Sequence, residues 1–187
     1  MNNKNKRKRD KNKTIHFEDF PEFQPNLTPR EIFSNGSFGG TYWRPIYSLI
    51  MKKKYNNQHK KFPKSWWKNI PKKNLVSSWN DYDKNINKYK VKVGTTLEYW
   101  ECKNWITKHH PYGWVQWYCS FYMGERGPDD EWQIKRWIRT VGPRGRFRRR
   151  LINLINKHNS TFDDDTISPK IRQTLQHWGY ILTQNDM

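Results

Sequence analysis

Apolar residues recur with helical spacing in the C-terminal third of the chain. In the segment 129–141 they share one helix face, at Ile134, Trp137, Ile138 and Val141. The acidic residues 129–131 suit a helix start, where the backbone dipole is positive, and Gly142-Pro143 suits a helix end. We therefore predict a helix over this segment.

A second helix is predicted after a short turn at 142–145. Its apolar stripe consists of Phe147, Leu151, Leu154, Ile155 and His158. The opposite face carries Arg146, Arg149, Arg150, Asn153 and Lys157. Two helices joined in this way resemble a helix-turn-helix, a pattern that many other helix pairs share.

Cap signals predict three further helices. Residues 28–31 have the Thr-Pro-Arg-Glu pattern of a capping box with proline at the first helical position. Thr95 or Thr96 can cap a helix that carries Leu97, Trp100 and Trp105. Ser168 precedes Pro169 at the start of a last helix, which Gly179 ends. The buried stripe of that helix is predicted to be Ile171, Leu175 and Trp178.

Alternation of apolar and polar residues predicts a strand at 88–94. Tyr89, Val91 and Val93 alternate there with three lysines, which gives one buried and one exposed face. The segment 111–124 fits either a helix or a strand, and its aromatic enrichment favours the strand.

The composition predicts a folded chain with an aromatic core. A hydrophobic fraction of 34% and a mean hydropathy of -1.18 are alone typical of disorder. Aromatic residues, however, make up 16% of the 187 residues, and each buried one removes roughly 150–250 Å² from water. We predict an α+β fold: a disordered basic tail over 1–14, then a single aromatic-rich domain over 15–187, with a small β element around 88–94 and a mainly helical C-terminal half.

The formal net charge of +19 points to a polyanionic partner. Part of this charge comes from Lys- and Asn-rich stretches that reflect composition alone. The segment 139–150 is different, because it contains six arginines and no acidic residue. Arginine donates paired hydrogen bonds to phosphate, so we predict nucleic-acid binding. The predicted contact residues are Lys135, Arg136, Arg139, Arg144, Arg146, Arg149, Arg150 and Lys157. The alternative is a solvated basic face without a binding role, which could pair with the acidic run 163–165.

Two other basic segments are weaker candidates. Residues 6–9 read as a nuclear-import signal, a nucleic-acid-binding arm or a solvated tail. Residues 52–73 hold nine lysines and no acidic residue. Nearby aromatics could stack on single-stranded bases or belong to the core, namely Tyr55, Phe62, Trp66 and Trp67.

No pattern predicts a cofactor, and no catalytic residue can be assigned. The glycine-rich segment 34–46 lacks the spacing of a phosphate loop or a dinucleotide site, and we predict a tight structural turn there. The alternative is that its glycines let the backbone approach a ligand, with Arg44 nearby. His109 and His110 with Cys102 and Cys119 match no zinc finger, so buried free thiols are expected. The acidic clusters 129–131 and 163–165 leave a metal-dependent enzyme acting on nucleic acid as an alternative. The first cluster, however, fits a helix start, and the second fits a loop before Ser168, and we favour these explanations.

Sequence features also bear on location. Two cysteines are too few for a disulfide scaffold, and no secretory leader pattern or apolar span is visible. We expect no membrane partner and an intracellular location, nuclear or cytoplasmic.

Four motifs carry a resemblance to a known family. They are SNGSFGGTYWRPI, PYGWVQWYCSFYMG, DDEWQIKRWIRTVGPRGRF and SPKIRQTLQHWGY. Together they resemble an uncharacterised protein family of plants, algae and large DNA viruses, over most of the chain from Phe17 to Thr183. The family has no assigned activity, so the resemblance implies no residue's role. The functional prediction is sequence-tolerant nucleic-acid binding, with a metal-dependent enzyme or a viral or structural packaging protein as alternatives.

Overall fold

A computed structural model describes residues 7–187, which contain helices and short strands. The helices in this range are α1 (Pro29–Ser34), α2 (Lys73–Val76), α3 (Leu97–Cys102), α4 (Trp114–Tyr122), α5 (Asp130–Val141), α6 (Arg146–Lys157) and α7 (Pro169–His177). The strands are β1 (Arg7–Arg9), β2 (Ile15–Phe17), β3 (Ile46–Ser48) and β4 (Lys53–Tyr55). The predicted α+β class with a mainly helical C-terminal half is confirmed.

The strands form two separate antiparallel pairs near the N-terminus. In the first pair Arg7 lies opposite Phe17, and in the second Ile46 lies opposite Tyr55. The guanidinium of Arg9 also donates to the Asn26 carbonyl at 3.0 Å. Residues 7–14, predicted to be disordered, therefore fold back onto β2. The rest of the predicted tail, with Lys6 of its basic cluster, lies outside the described residues.

The predicted strand at 88–94 is wrong, although its alternation of burial is right. Tyr89, Val91 and Val93 are partly buried and the intervening lysines are exposed. No strand pairs with this segment among residues 7–187, and Lys90 adopts a left-handed φ of 55°. Side chains take over part of the backbone pairing, since the Tyr89 N–H donates to Gln173 on α7. Alternating burial thus arises here without a β-ladder.

The strand favoured over 111–124 is also wrong, because this segment forms α4. Gly113, with a φ of 81°, precedes the helix. Every residue from Trp114 to Cys119 is buried, so α4 is enclosed on almost all sides. Aromatic residues have a modest preference for strands, but burial in a helical environment outweighs it.

Helices α4 to α7 pack in chain order, and buried residues from Ile15 to Leu182 form one core cluster. The predicted inner face of α5 is confirmed, with Ile134, Trp137 and Val141 at most 1% exposed. On α6, Leu151 and Ile155 are fully buried. The placement of His158 in that stripe is wrong, because this residue follows the helix and is exposed.

The predicted capping box of α1 is confirmed. The Glu31 N–H donates to the Thr28 hydroxyl at 3.2 Å, and the Thr28 N–H donates to the Glu31 carboxylate at 2.8 Å. Thr96 caps α3 by accepting from the Tyr99 N–H. Ser168 precedes α7 as predicted but makes no side-chain cap, because its backbone is left-handed.

The turn between α5 and α6 depends on close backbone approach. A Cβ atom at Gly145 would lie 2.5 Å from the Val141 nitrogen and 2.7 Å from the Thr140 carbonyl carbon. Backbone atoms of a helix cannot move aside as a flexible side chain can. The turn therefore fixes how the arginines of α6 sit relative to α5.

Replacing Gly145 with alanine should destabilise the fold. We expect Gly145→Ala to lower the free energy of unfolding by about 1–3 kcal/mol through overpacking of this turn. Urea unfolding measures the change. The matched control is Gly127→Ala, because nothing lies within 4 Å of a Cβ there and its φ is not left-handed. Equal effects of the two substitutions would refute a special role of the turn.

Candidate nucleic-acid interface

The structure places the predicted cations along two packed helices and their turn. Lys135, Arg136 and Arg139 lie on α5, Arg144 lies in the turn, and the others lie on α6. All are exposed except Arg136, which is half buried. Within residues 7–187, only Lys135 of this set forms an ion pair, with Glu131 at 3.2 Å. We call this set of residues the α5–α6 basic face.

The acidic run 163–165 does not neutralise this face. The Asp164 carboxylate accepts from the Ser160 and Thr166 side chains, and Asp165 lies 4.0 Å from Arg172 on α7. Neither acid pairs with an α6 side chain among the described residues. The suggested pairing of the arginine helix with this run is therefore wrong.

The start of α6 is electrostatically unfavourable. Gly145 provides no side-chain cap, and the first turn contains no acidic residue. It carries Arg146, Arg148 and Arg149 instead. Cations near a helix N-terminus oppose the helix dipole, typically at about 0.3–1 kcal/mol each. Arg148 is compensated by Asp186, whereas the other two arginines have no ion-pair partner among residues 7–187.

A cleft of about 500 Å³ adjoins the α5–α6 basic face. Its wall is largely aromatic, and it includes four arginines, namely Arg44, Arg136, Arg139 and Arg146. None of the described residues that line it is acidic. Volume, apolar walls and a few charged groups are the usual features of a ligand site. We call it the aromatic cleft.

Arg136 is held in a cage of three tryptophans at the aromatic cleft. Its guanidinium carbon lies 4.7 Å from the ring centre of Trp132, 5.5 Å from that of Trp105 and 5.4 Å from that of Trp178. It donates to the Gln133 side chain at 2.9 Å. Burial, together with the nearby Arg139, lowers the pKa of Arg136 to about 10. A desolvated cation without a carboxylate is costly, which is typical of a functional site.

Arg44 provides a second partly buried cation. Its guanidinium donates to the Thr41 carbonyl at 3.1 Å and lies 5.2 Å from the Trp79 ring centre. Burial lowers the pKa of Arg44. Like Arg136, it makes no ion pair within residues 7–187 and is positioned by carbonyl and aromatic contacts.

His177, which is among the residues that line the aromatic cleft, carries its ring proton on a fixed nitrogen. Its Nε2 atom accepts from the Phe38 N–H at 3.1 Å and lies 3.0 Å from the Gln173 side-chain amide. Because Nε2 is an acceptor, the ring proton resides on Nδ1, which has no partner in the described structure. Burial lowers the pKa of His177 to about 3, so the ring stays neutral.

The carboxylates of Asp129 and Asp130, in the acidic cluster 129–131, already contact neighbouring side chains. Asp129 accepts from the Thr107 hydroxyl and lies 2.9 Å from the ring of His110. Asp130 accepts from the Trp117 indole N–H at 2.7 Å. In residues 7–187, no group of three or more His, Cys, Asp or Glu side chains could hold a metal ion.

The cysteines and histidines considered for zinc do not come together. His109 and His110 contact Asp129. Cys119 is buried, which raises the pKa of its thiol, while Cys102 is exposed. The expectation of two buried thiols is thus right for Cys119 and wrong for Cys102.

The aromatics near 52–73 and the glycines of segment 34–46 have structural roles, whereas Arg44 of the glycine-rich segment lines the aromatic cleft. Trp66 stacks on Phe62, and Trp67 packs edge-on against Phe33 at 5.3 Å, so these aromatics extend the core. In the glycine-rich segment, a Cβ atom at Gly39 would lie 2.5 Å from the Tyr82 ring. The prediction of a structural turn is confirmed, with left-handed φ angles at Gly36, Gly39 and Gly40.

The sequence does not predict most of the aromatic cleft. Arg44, Trp105 and the adjacent pair His177 and Trp178 lie far apart in the chain, and periodicity assigns the tryptophans to helix faces. The one signal in the sequence is the frequency of tryptophan, with eleven in 187 residues.

Comparison with known proteins finds no matching family model, no similar curated protein and no similar solved structure. The resemblance to the plant, algal and viral family stays a prediction. Among residues 7–187, no helix combines the length and apolar character needed to cross a bilayer.

The buried His177 predicts a pH-dependent stability. Its pKa is 6.5 in the unfolded chain and about 3 in the folded one, so only the unfolded state gains a proton as pH falls below 6.5. Its contribution to stability is full above pH 6.5 and should decline by about 2 kcal/mol between about pH 7 and about pH 5.

Urea unfolding at the two pH values tests this assignment with His177→Gln. The variant should lose less stability on acidification than the original chain does, whatever its stability at neutral pH. The matched control is His158→Gln, which makes the same substitution at an exposed position. An unaltered pH dependence in His177→Gln would contradict the assignment.

Proposed function

We propose that the protein binds nucleic acid by contacting phosphate groups with the α5–α6 basic face. The observation that carries the proposal is the first turn of α6, where Arg146 and Arg149 lack ion-pair partners within residues 7–187 and oppose the helix dipole. Such an arrangement lowers the stability of the free protein, and a bound anion would relieve it.

Phosphate groups fit this face by charge and geometry. Arginine donates two parallel hydrogen bonds to phosphate oxygens. The N-terminal N–H groups of α6 have no side-chain cap and favour anions for the same reason. Phosphates occur in every sequence, so contacts of this kind bind strands with little sequence preference.

No observation favours the nuclease alternative. Asp129 and Asp130 already accept hydrogen bonds from neighbouring side chains. The packaging alternative shares the phosphate contacts and differs in predicting affinity that grows only with the length of the polymer.

Removal of three α6 arginines should weaken binding and its salt dependence. We expect the triple variant Arg146→Gln, Arg149→Gln and Arg150→Gln to bind labelled DNA or RNA less tightly. Binding releases about one counterion for each phosphate that an arginine neutralises. Loss of three such contacts should therefore reduce the magnitude of the slope of log affinity against log salt by roughly 2–3. Fluorescence anisotropy across a salt series, with and without Mg²⁺, measures both quantities.

The matched control removes three lysines at the β3–β4 hairpin, through Lys52→Gln, Lys53→Gln and Lys54→Gln. These residues are exposed, and the net charge changes equally. We expect this control to retain most of the affinity and slope. Equal losses in both triple variants would show that total charge, rather than the α5–α6 basic face, drives binding.

A single charge reversal should separate binding from stability. Arg149→Glu places an acid near the start of α6 and should raise the free energy of unfolding by about 0.5–1 kcal/mol while weakening nucleic-acid binding. Lys157→Glu changes the net charge equally at the other end of α6 and should lower stability by a similar amount. If Arg149→Glu destabilises the protein, the account of the α6 start is wrong.

A further inference from the structure

The aromatic cleft is continuous with the proposed phosphate-binding surface. Arg139 and Arg146 belong both to the cleft wall and to the α5–α6 basic face. A strand whose phosphates lie along α6 would therefore bring a nucleotide to the mouth of the cleft. The volume of about 500 Å³ is within the range of small-ligand sites, and it suits one nucleotide rather than a double helix.

Two exposed aromatic side chains lie at this cleft. Tyr99 is 43% exposed and Trp105 is 37% exposed, and their rings meet edge to face at 5.8 Å. Arg136 contacts the Trp105 ring and Lys103 contacts the Tyr99 ring, and the rest of each exposed side chain is accessible to a ligand. Every nucleobase has a π face, so aromatic side chains stack on unpaired bases of any sequence.

The polar groups of the cleft match the rest of a nucleotide. Arg136 supplies a desolvated positive charge that suits a phosphate, and its tryptophan cage fixes its position. The Nδ1–H of His177 suits an oxygen or nitrogen acceptor on a base edge, since Phe38 holds the opposite ring nitrogen. Among the described lining residues there is no carboxylate to repel phosphate.

We propose that the aromatic cleft binds one unpaired nucleotide of a nucleic-acid strand, with the base against Trp105 and the phosphate on Arg136. This inference rests on the proposed function and adds a preference for single strands to it. The phosphates that flank the bound nucleotide lie on Arg139 and Arg146, and the adjoining strand continues along α6.

The full-length protein can be tested with a labelled single-stranded oligonucleotide and with its duplex. We expect the single strand to bind more tightly at equal salt. Trp105→Ala should weaken single-strand binding by about 5- to 140-fold, the range for loss of one stacked base, and leave duplex binding unchanged. The matched control is Tyr47→Ala, an exposed aromatic on β3 outside the cleft, which should affect neither.

A nucleoside monophosphate provides a second probe that needs no phosphate chain. It should quench the tryptophan fluorescence of the original chain and compete with the single strand, and both effects should be lost in Arg136→Met. Circular dichroism shows whether each variant remains folded. Inorganic phosphate at the same concentration should not reproduce the quenching, because it lacks a base.

The outcomes separate this inference from the proposed function. Equal binding of single strand and duplex, unaffected by Trp105→Ala, would overturn the inference and leave phosphate binding by α6 intact. If neither polymer binds, the proposed function fails. In that case, quenching by the monophosphate would still support the aromatic cleft as a nucleotide-binding site. Absence of quenching would refute that assignment as well.

Discussion

The ring of Phe23 lies at the centre of the packing on which the structure depends. Phe23 is fully buried and contacts aromatic side chains from β2, α4 and α5. Its neighbours, with ring-centre distances of 5.2–5.6 Å, are Phe17, Trp117, Tyr118, Phe121 and Trp137. In a chain with few aliphatic residues, each large ring must bury much surface. Segments far apart in sequence are thereby brought onto one cluster.

This packing also positions the candidate interface. Trp137 faces the aromatic cluster, while Arg136 and Arg139 on the same helix face the aromatic cleft. The indole N–H of Trp137 donates to the Trp178 carbonyl at 2.8 Å, and the Trp178 ring in turn contacts Arg136. A shift of α5 in the core would therefore move the caged guanidinium as well. The core and the cleft thus share helix α5.

The sequence predicts several features that depend on neighbouring residues alone. The capping box at Thr28, the inner face of α5 and the burial of Leu151 and Ile155 on α6 follow local rules, and the structure confirms them. The predicted strand at 88–94 is wrong because a strand needs a pairing partner, and periodicity does not show whether one is present. The strand favoured over 111–124 is wrong because this segment is enclosed by the core, where it forms the buried helix α4.

The candidate site likewise has one part that the sequence predicts and another that only the folded structure shows. The exposed arginines of α6 were visible in the sequence, since charge and helical spacing are local properties. The caging of Arg136 by Trp105, Trp132 and Trp178 was not visible, because residues 105 and 178 meet only in the folded chain. The fixed proton of His177 likewise depends on Phe38, more than a hundred residues away. Tertiary contacts therefore convert a basic helix into one wall of a cleft.

The central claim is that α5, α6 and the aromatic cleft form one surface that contacts a nucleic-acid strand. Ultraviolet cross-linking of the full-length protein to a single-stranded oligonucleotide, followed by mass spectrometry of the cross-linked peptides, tests it most directly. The account predicts cross-links in peptides that contain Trp105 and residues 132–150. Cross-links confined to the lysine-rich segment 52–73 would contradict it, because binding would then follow charge alone.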